Sequence, residues 1–467
     1  MPTVDSIPFE SRYQYMATLH NRADKPQRIY IKGSFESISA CSSYTQTVLG
    51  EKDIFDAQKI EQQLEKMAEQ GMRVLAFAYL DVTEQKTGIS HEDIKSGFTF
   101  LGLQGMIDPP RPDAIKAVQA CQTAGIQVKM ITGDHAITAS AIAAQIGLKG
   151  CGKKHAVITG KELATLSDSE LVDLADEAVV FARVSPEQKL RLVEALQLKG
   201  HVVAMTGDGV NDAPALHRAN IGIAMGRAGT EVSKEAADMV LTNDNFSAIE
   251  LAVEEGRGVF DNIVKFITWT LPTNIGEGLV IMTAVFIGAT LPILPVQILW
   301  INMTTAVLLG LMLAFEPKEK GIMLRKPRKP NAPILSNILL FRIVLVGFLL
   351  LSGAFGLFEL ALARGASEAQ ARTVAANLFV FGELFYLFNC RSLTLPLSTI
   401  GFFSNRWLLV GVTGMVFLQL LFTYSTVMNQ LFHTEPIGLI EWAQILLVSF
   451  AIYFSVKLEK QYQLKKD

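Results

Sequence analysis

The chain has 467 residues, half of them apolar, and its 42 basic and 45 acidic side chains leave a net charge of −3. This length calls for several domains, and the near-balance of charge gives no basic surface for a nucleic-acid partner. The four cysteines, Cys41, Cys121, Cys151 and Cys390, have neither metal-ligand nor CxxC spacing. They read as free thiols of a reducing compartment, and the polar first 30 residues contain no secretory signal pattern.

Residues 1–262 read as mixed globular sequence, and from residue 263 onward charges nearly vanish for long runs. In the globular part, residues 98–147 alternate short apolar runs with helical stretches. FTFLGLQGMID predicts a strand, RPDAIKAVQACQTAG a helix stopped by glycine, IQVKMITGD a strand ending in a polar turn, and HAITASAIAAQIG the next helix. The pattern returns in EAVVFARV, PEQKLRLVEALQLKG and HVVAMTGDGVNDAPAL. Strands alternating with helices predict a parallel, doubly wound α/β sheet. Ligands of such sheets lie beyond the C-terminal strand ends, where both TGD (132–134) and TGDGVND (206–212) fall.

TGDGVNDAPAL sets Asp208, Asn211 and Asp212 around two glycines. A carboxylate at a strand end can hold Mg²⁺, a hard cation that takes oxygen ligands and bridges to phosphate. Glycines let backbone approach phosphate oxygens, and a hydroxyl and an ammonium can neutralise a transferring phosphoryl group. Thr132, Lys189 and Asp208 offer that set. No GxxxxGK[ST] loop occurs, so the site is not of the Walker type.

Six stretches are long and apolar enough to cross a bilayer, at about 264–289, 294–315, 337–361, 372–390, 408–429 and 438–457. The loop after the second carries Lys318, Lys320, Arg325, Lys326, Arg328 and Lys329, which predicts a cytoplasmic loop. Six spans return the basic C-terminal KLEKQYQLKKD to that side, and the globular half is expected there too. Ionisable groups inside spans are functional candidates. Asn274 and Glu277 share a helix face in PTNIGEG, where Pro272 and two glycines are expected to interrupt the helix and free carbonyls for a cation. Asn302 and Thr305 lie three apart in INMTTA, and FGELFYLFN supplies Glu383. Taken alone, Asn302 and Thr305 read as interhelical hydrogen-bonding groups.

DPPRPDA, MITGDH, FARVSPEQK and TGDGVNDAPAL, followed by six spans, closely resemble the P-type cation-transporting ATPases. The resemblance implies a haloacid-dehalogenase-like Rossmannoid phosphorylation domain, a partial α+β nucleotide-binding domain and a six-helix transmembrane bundle, expected at 98–262, 1–97 and 263–467. It implies Mg²⁺ and ATP, with Asp208 as the Mg²⁺ ligand and Asp212 in the same site. Thr132, Gly133, Asp134, Lys189 and Asn211 would contact or position the phosphoryl group. YIKGSFE resembles the family's KGAPE signature, so Lys32 and Gly33 would line the ATP pocket. GMRVLAFAY would bring Arg73 to the phosphates, and Arg183 of FARVSPEQK would also serve the nucleotide. IPFESRYQYM would supply Phe9 to stack on adenine, although Gln14 stands where the family often has lysine.

Six spans after TGDGVNDAPAL resemble the type II pumps, whose cation sites use residues matching Asn274, Glu277, Asn302, Thr305 and Glu383. Ala306 stands where these pumps commonly carry an aspartate, which argues against a two-calcium stoichiometry and leaves calcium, sodium, potassium and proton open. The 467 residues contain no DKTGT nucleophile and no TGE-type motif. The resemblance therefore covers the chain but only the C-terminal half or so of a full pump. The expected partners are ATP, the transported cation, the lipid bilayer and a missing N-terminal half supplied as a separate chain. The expected location is multi-pass in the plasma (inner) membrane. The polypeptide alone is expected not to pump, because a covalent phosphoryl intermediate needs a nucleophile. The alternatives are a non-pumping remnant or regulator that binds nucleotide, and a membrane-tethered phosphatase, for which no DxDx[TV] signature is present.

Overall fold

The computed structural model describes every residue except 11, 24, 152–155, 396 and 465–467, so the last three residues of the basic tail lie outside it. The chain divides into two compact units, Met1–Glu250 and Leu251–Asp467.

The first unit opens with a seven-stranded sheet. Its strands are β1 (Thr3–Glu10), β2 (Tyr15–Arg22), β3 (Lys25–Gly33), β4 (Ser42–Gln46), β5 (Lys52–Ile54), β6 (Arg73–Val82) and β7 (Phe98–Met106). They lie in the order β1-β2-β3-β6-β7-β4-β5, antiparallel except between β4 and β7. Every second residue of the central strands faces one core: Ala17 and Leu19, Ile29 and Ile31, Ala76 and Ala78, Phe98 and Phe100. Phe35, Ile38 and Cys41 of the helix Phe35–Cys41 pack on that face, as do Ile60 and Leu64 of the helix Ala57–Glu69. FTFLGLQGMID is thus a strand, but β7 pairs with β6 and β4 and does not open the parallel sheet. Alternation specifies a half-buried strand without specifying its neighbour.

The α/β part follows. β8 (Met130–Thr132), β9 (Val157–Thr159) and β10 (Val180–Ala182) form a parallel sheet in the order β8-β10-β9. β11 (Ala204–Gly207), β12 (Ile221–Met225) and β13 (Met239–Leu241) form a second, also parallel. The strands are parallel as the helix alternation requires, but they make two three-stranded sheets. Among the described residues no strand joins β8 to β11, the edge strands whose ends carry the two TGD turns. Ile131 of β8 packs against the cores of both sheets. The helix Pro186–Leu198 starts where sequence demands it: Ser185 and Gln188 form a reciprocal capping box and proline takes the first turn.

In the second unit and its leading helix, six helices among the described residues are long and apolar enough to span a membrane. They are Ser247–Ile287, Pro295–Phe315, Asn337–Ala363, Glu368–Cys390, Arg406–Tyr424 and Leu439–Leu464, called here the first to sixth spans. The fourth is the hub, most of its length being enclosed by protein. The fifth is shorter than its apolar run, because the chain turns at Ser425 into a separate helix, Thr426–Phe432.

Candidate functional site

The TGDGVND turn folds around Asp212. One of its carboxylate oxygens accepts from the Asp208 and Gly209 amides at 3.3 and 3.2 Å, and the other meets the Lys189 ammonium at 2.6 Å. Asp212 is 6% exposed, so a buried charge is paired and hydrogen-bonded as burial requires. Gly207 makes this possible, since a Cβ there would lie 2.5 Å from the Asp212 Cβ. The Asp208 carbonyl is held by the Thr230 amide at 2.8 Å and the Ser233 hydroxyl at 3.1 Å. Its exposed carboxylate meets no donor among the described residues. Asn211 is exposed beside it.

At the end of β8 the Thr132 hydroxyl donates to Asp134 at 3.0 Å and accepts from the Asp134 amide at 3.1 Å. Gly133 has open space where a Cβ would stand. The helix Ala136–Gln145 begins directly after this turn and fixes the start of β6. Thr138 donates to the Met72 carbonyl at 3.2 Å and Gln145 to that of Gln70 at 3.3 Å. Arg73 follows, and its guanidinium lies 3.8 Å from Asp134. The structure therefore brings the arginine of GMRVLAFAY to the TGD turn, from a strand of the other sheet.

Arg183 stands at φ +54° directly after β10, and Gly160 provides the room, because a Cβ there would meet the Arg183 carbonyl at 2.2 Å. Its guanidinium donates to Glu36 at 3.0 Å. Burial raises the Glu36 carboxyl, but its own backbone amide and Arg183 outweigh that and hold it below the usual carboxylate value. Glu36 ends the KGSFE stretch that also carries Lys32 and Gly33. Lys32 is exposed on β3 between Met16 and Phe77. Gly33 is required by the close approach of the Gln14 carbonyl, 2.3 Å from a hypothetical Cβ. Phe9 lies exposed at the irregularity between Ile7 and Glu10 on β1. Phe9 and Lys32 make no ring contact, hydrogen bond or ion pair among the described residues.

In the helical bundle, Glu277 is 3% exposed and accepts from the Asn302 amide at 2.7 Å. Its other oxygen, and both oxygens of Glu383, are buried without a hydrogen-bond partner. Glu383 is 1% exposed, and Thr305 is buried. The first and fourth spans meet here, the Trp269 ring donating to the Glu383 carbonyl at 3.1 Å. Asn274, unlike these, is exposed. Among the described residues no three His, Cys, Asp or Glu side chains cluster as a metal site.

Residues 1–113 match the family described as P-type ATPase, cytoplasmic domain N, residues 189–253 match haloacid dehalogenase-like hydrolase, and residues 290–462 match Cation transporting ATPase, C-terminus. The chain belongs to the P-type cation-transporting ATPases. It is 53% identical over 454 residues to the probable cation-transporting ATPase F of Mycobacterium tuberculosis, covering 97% of this chain and 50% of the relative. It is 49% identical over 455 residues to the cation-transporting ATPase pma1 of Synechocystis, covering 96% and 50%. Identity to a calcium-transporting ATPase of Bacillus subtilis is 38% over 450 residues, again covering 96% and 50%. The chain spans about half the length of the curated relatives it matches.

Two features of this chain's membrane bundle depart from the sequence reading. The first span is one continuous helix through Pro272. Proline removes the amide that would bond the carbonyl four residues back, and that carbonyl, of Thr268, instead accepts the Tyr386 hydroxyl at 3.1 Å. The oxygen expected to be free for a cation is thus taken by a fully buried tyrosine of the fourth span. The second span changes after Thr305, where Ala306–Gly310 is a π-helical turn and Leu311–Phe315 a 3₁₀ turn. Gly411 of the fifth span sits against this turn, a Cβ there falling 1.9 Å from the Leu308 carbonyl. Such turns often mark functional positions, but only the distant Gly411 could have signalled this one.

Proposed function

We propose that this chain supplies the nucleotide- and phosphate-handling parts and the last six spans of a type II ATP-driven cation pump. The observation that carries the reading is the pair of carboxyl groups, Glu277 and Glu383, buried between membrane spans, with one Glu277 oxygen unpartnered and only the Thr305 hydroxyl close to Glu383. Burying such groups as carboxylates is costly unless a bound cation or a proton neutralises them. Two carboxylates, the Asn302 and Thr305 oxygens and, from the first span, Asn274 form the proposed cation site.

The phosphoryl site fits Mg²⁺, which binds through one or two carboxylates with water and phosphate oxygens completing its shell. Asp208 is the unpartnered carboxylate for it, and the bound ion would neutralise phosphate charge. Lys189, held by Asp212, keeps two of its N–H donors for phosphoryl oxygens. The Thr132 hydroxyl, the Gly133 backbone and the Asn211 amide would orient that group. Arg73 and Arg183, now on Asp134 and Glu36, are the cations proposed for the nucleotide phosphates and ribose, with Lys32, Gly33 and Phe9 lining the base end.

The unjoined edges of β8 and β11 flank Thr132 and Asp208. A parallel strand ending in an aspartate could pair with both edges and bring the nucleophile that the 467 residues lack. A partner segment carrying DKTGT is proposed in that role. The basic loop at 318–329 supports a cytoplasmic orientation for its side of the bundle.

Proteoliposomes containing only this polypeptide are expected to show no ATP-driven uptake of Ca²⁺, Na⁺ or K⁺. Co-expression with a segment bearing DKTGT should restore uptake of one of them, and Glu277→Gln should abolish it. Uptake by the polypeptide alone would refute the need for the segment. No uptake with the segment present, together with retained ATP binding, would favour a non-pumping nucleotide-binding regulator.

A further inference from the structure

A second charged cluster lies in the bundle, away from Glu277 and Glu383. The fourth and sixth spans end side by side, and a cavity of about 80 Å³ opens between them and the loop that follows Cys390. Its polar lining includes Lys457 and Lys460, and its apolar lining is Phe388, Leu397 and Tyr453.

The charge balance of this place is unusual. Buried Arg342 and the nearly enclosed Glu459 side chain pair at 2.8 Å through one carboxylate oxygen, the other having no hydrogen-bond partner. Lys460, 7% exposed, donates only to the carbonyl oxygens of Asn389 and Ser392. Of the carboxylates whose charge reaches it, Glu459 belongs to Arg342 and Glu319 lies 3.6 Å from Lys265. Lys457 is half-buried and makes no hydrogen bond or ion pair among the described residues. Two ammonium groups therefore line one cavity with no carboxylate bonded to either, and buried charges of one sign need a partner.

We propose that this cavity is a binding site for an anionic phospholipid, whose phosphate sits between Lys457 and Lys460 and whose glycerol and upper acyl chain lie on Phe388, Leu397 and Tyr453. From Tyr453 to Gln461 the sixth span rises roughly 12 Å, more than the headgroup layer of one leaflet, about 5–8 Å, so the lining reaches from headgroup level to hydrocarbon level. A free phosphate ion would satisfy the amines and leave the apolar floor unused. Basic pockets between span ends are where anionic headgroups bind. The site belongs to the end of the bundle that carries the basic loop, since Arg391, one residue past the fourth span, binds Glu316 just past the second.

The test uses the whole chain in nanodiscs of phosphatidylcholine with a minority of phosphatidylglycerol, counting lipids retained on release by native mass spectrometry. Phosphatidylglycerol should be enriched over its bulk share. Lys457→Gln should cut the enrichment roughly fivefold, the factor contributed by one interfacial cation. Lys457→Arg should keep it, and Lys326→Gln in the exposed loop should leave it unchanged. Equal enrichment in the chain and Lys457→Gln would overturn the proposal. So would displacement of the lipid by inorganic phosphate, which would make the site one for the free ion.

Discussion

Tyr386→Phe removes a single oxygen, and the structure says what that oxygen does. Pro272 has no amide to give the Thr268 carbonyl, so the Tyr386 hydroxyl at 3.1 Å is the donor that carbonyl uses. Tyr386 is enclosed completely, so water cannot replace the lost hydroxyl. An unsatisfied buried carbonyl costs about 1–3 kcal/mol. Interhelical hydrogen bonds in membrane proteins average only ~0.6 kcal/mol, because the unfolded helices find other partners. Here the first span itself carries the defect, since Pro272 cannot supply the amide that an α-helix would offer this carbonyl. The loss is therefore expected near the upper of the two figures, about 1–2 kcal/mol.

The cycle with Pro272→Ala isolates this effect. Alanine restores the helical amide, so Tyr386→Phe should cost little in that background, and the two changes should couple by about 1 kcal/mol. Unfolding in mixed micelles at rising sodium dodecyl sulfate, read by tryptophan fluorescence, measures all four states. Buried Trp269, three residues before Pro272 and bonded to Glu383, reports on the same contact. Equal costs of Tyr386→Phe with proline and with alanine at position 272 would refute the reasoning.

At the phosphoryl turn, Gly207→Ala drives a methyl to 2.5 Å from the Asp212 Cβ, whereas Gly209→Ala meets its carboxylate only at 3.6 Å. Mg²⁺-dependent phosphate binding, measured by calorimetry, should fall at least about tenfold in the first and change little in the second. Arg391→Met removes a fully buried cation from Glu316, whose side chain is 1% exposed and also takes the Asn405 amide at 2.8 Å. Stranding that carboxylate should cost about 3–5 kcal/mol, seen as loss of monodisperse protein in detergent, and an unchanged melting profile would count against it. The amides of Arg227, Ala228 and Gly226 bond the Asp244 carboxylate and hold it below its ordinary value of 3.8. A depressed folded value stabilises above 3.8 and loses that stability as pH falls through the lower value. Asp244→Asn should therefore flatten the acid limb of the first unit's stability curve. Parallel acid limbs for the two proteins would exclude the contribution.

The strands ending in Thr132 and Gly207 were legible because period and punctuation agree there: apolar triplets, helix caps and glycine stops within a few residues of each other. β12 and β13 were not, since IGIAM and MVL are too short and too rich in small residues to carry a period. The phosphoryl residues were legible as types at strand ends. Their pairing was not, because Arg183 finds Glu36 across 147 positions and Lys189 finds Asp212 across 23. Pro272 shows how a local rule fails. Proline predicts a break from its own helix alone, while the deciding hydroxyl comes from another span, 118 positions away.

That same substitution of donors bears on the cation site. With the Thr268 carbonyl occupied, the first span offers side chains and not a ring of backbone oxygens. The π turn begins at Ala306, so the second span changes its winding directly after Thr305 and at the residue where an aspartate is absent. The proposed site then holds two carboxyl groups, at most two negative charges, on helices that pack closely enough for Trp269 to bond the Glu383 backbone. Neutrality in a low-dielectric bundle allows one divalent or two monovalent cations against that charge. A second divalent ion would need acidic ligands from outside these six spans.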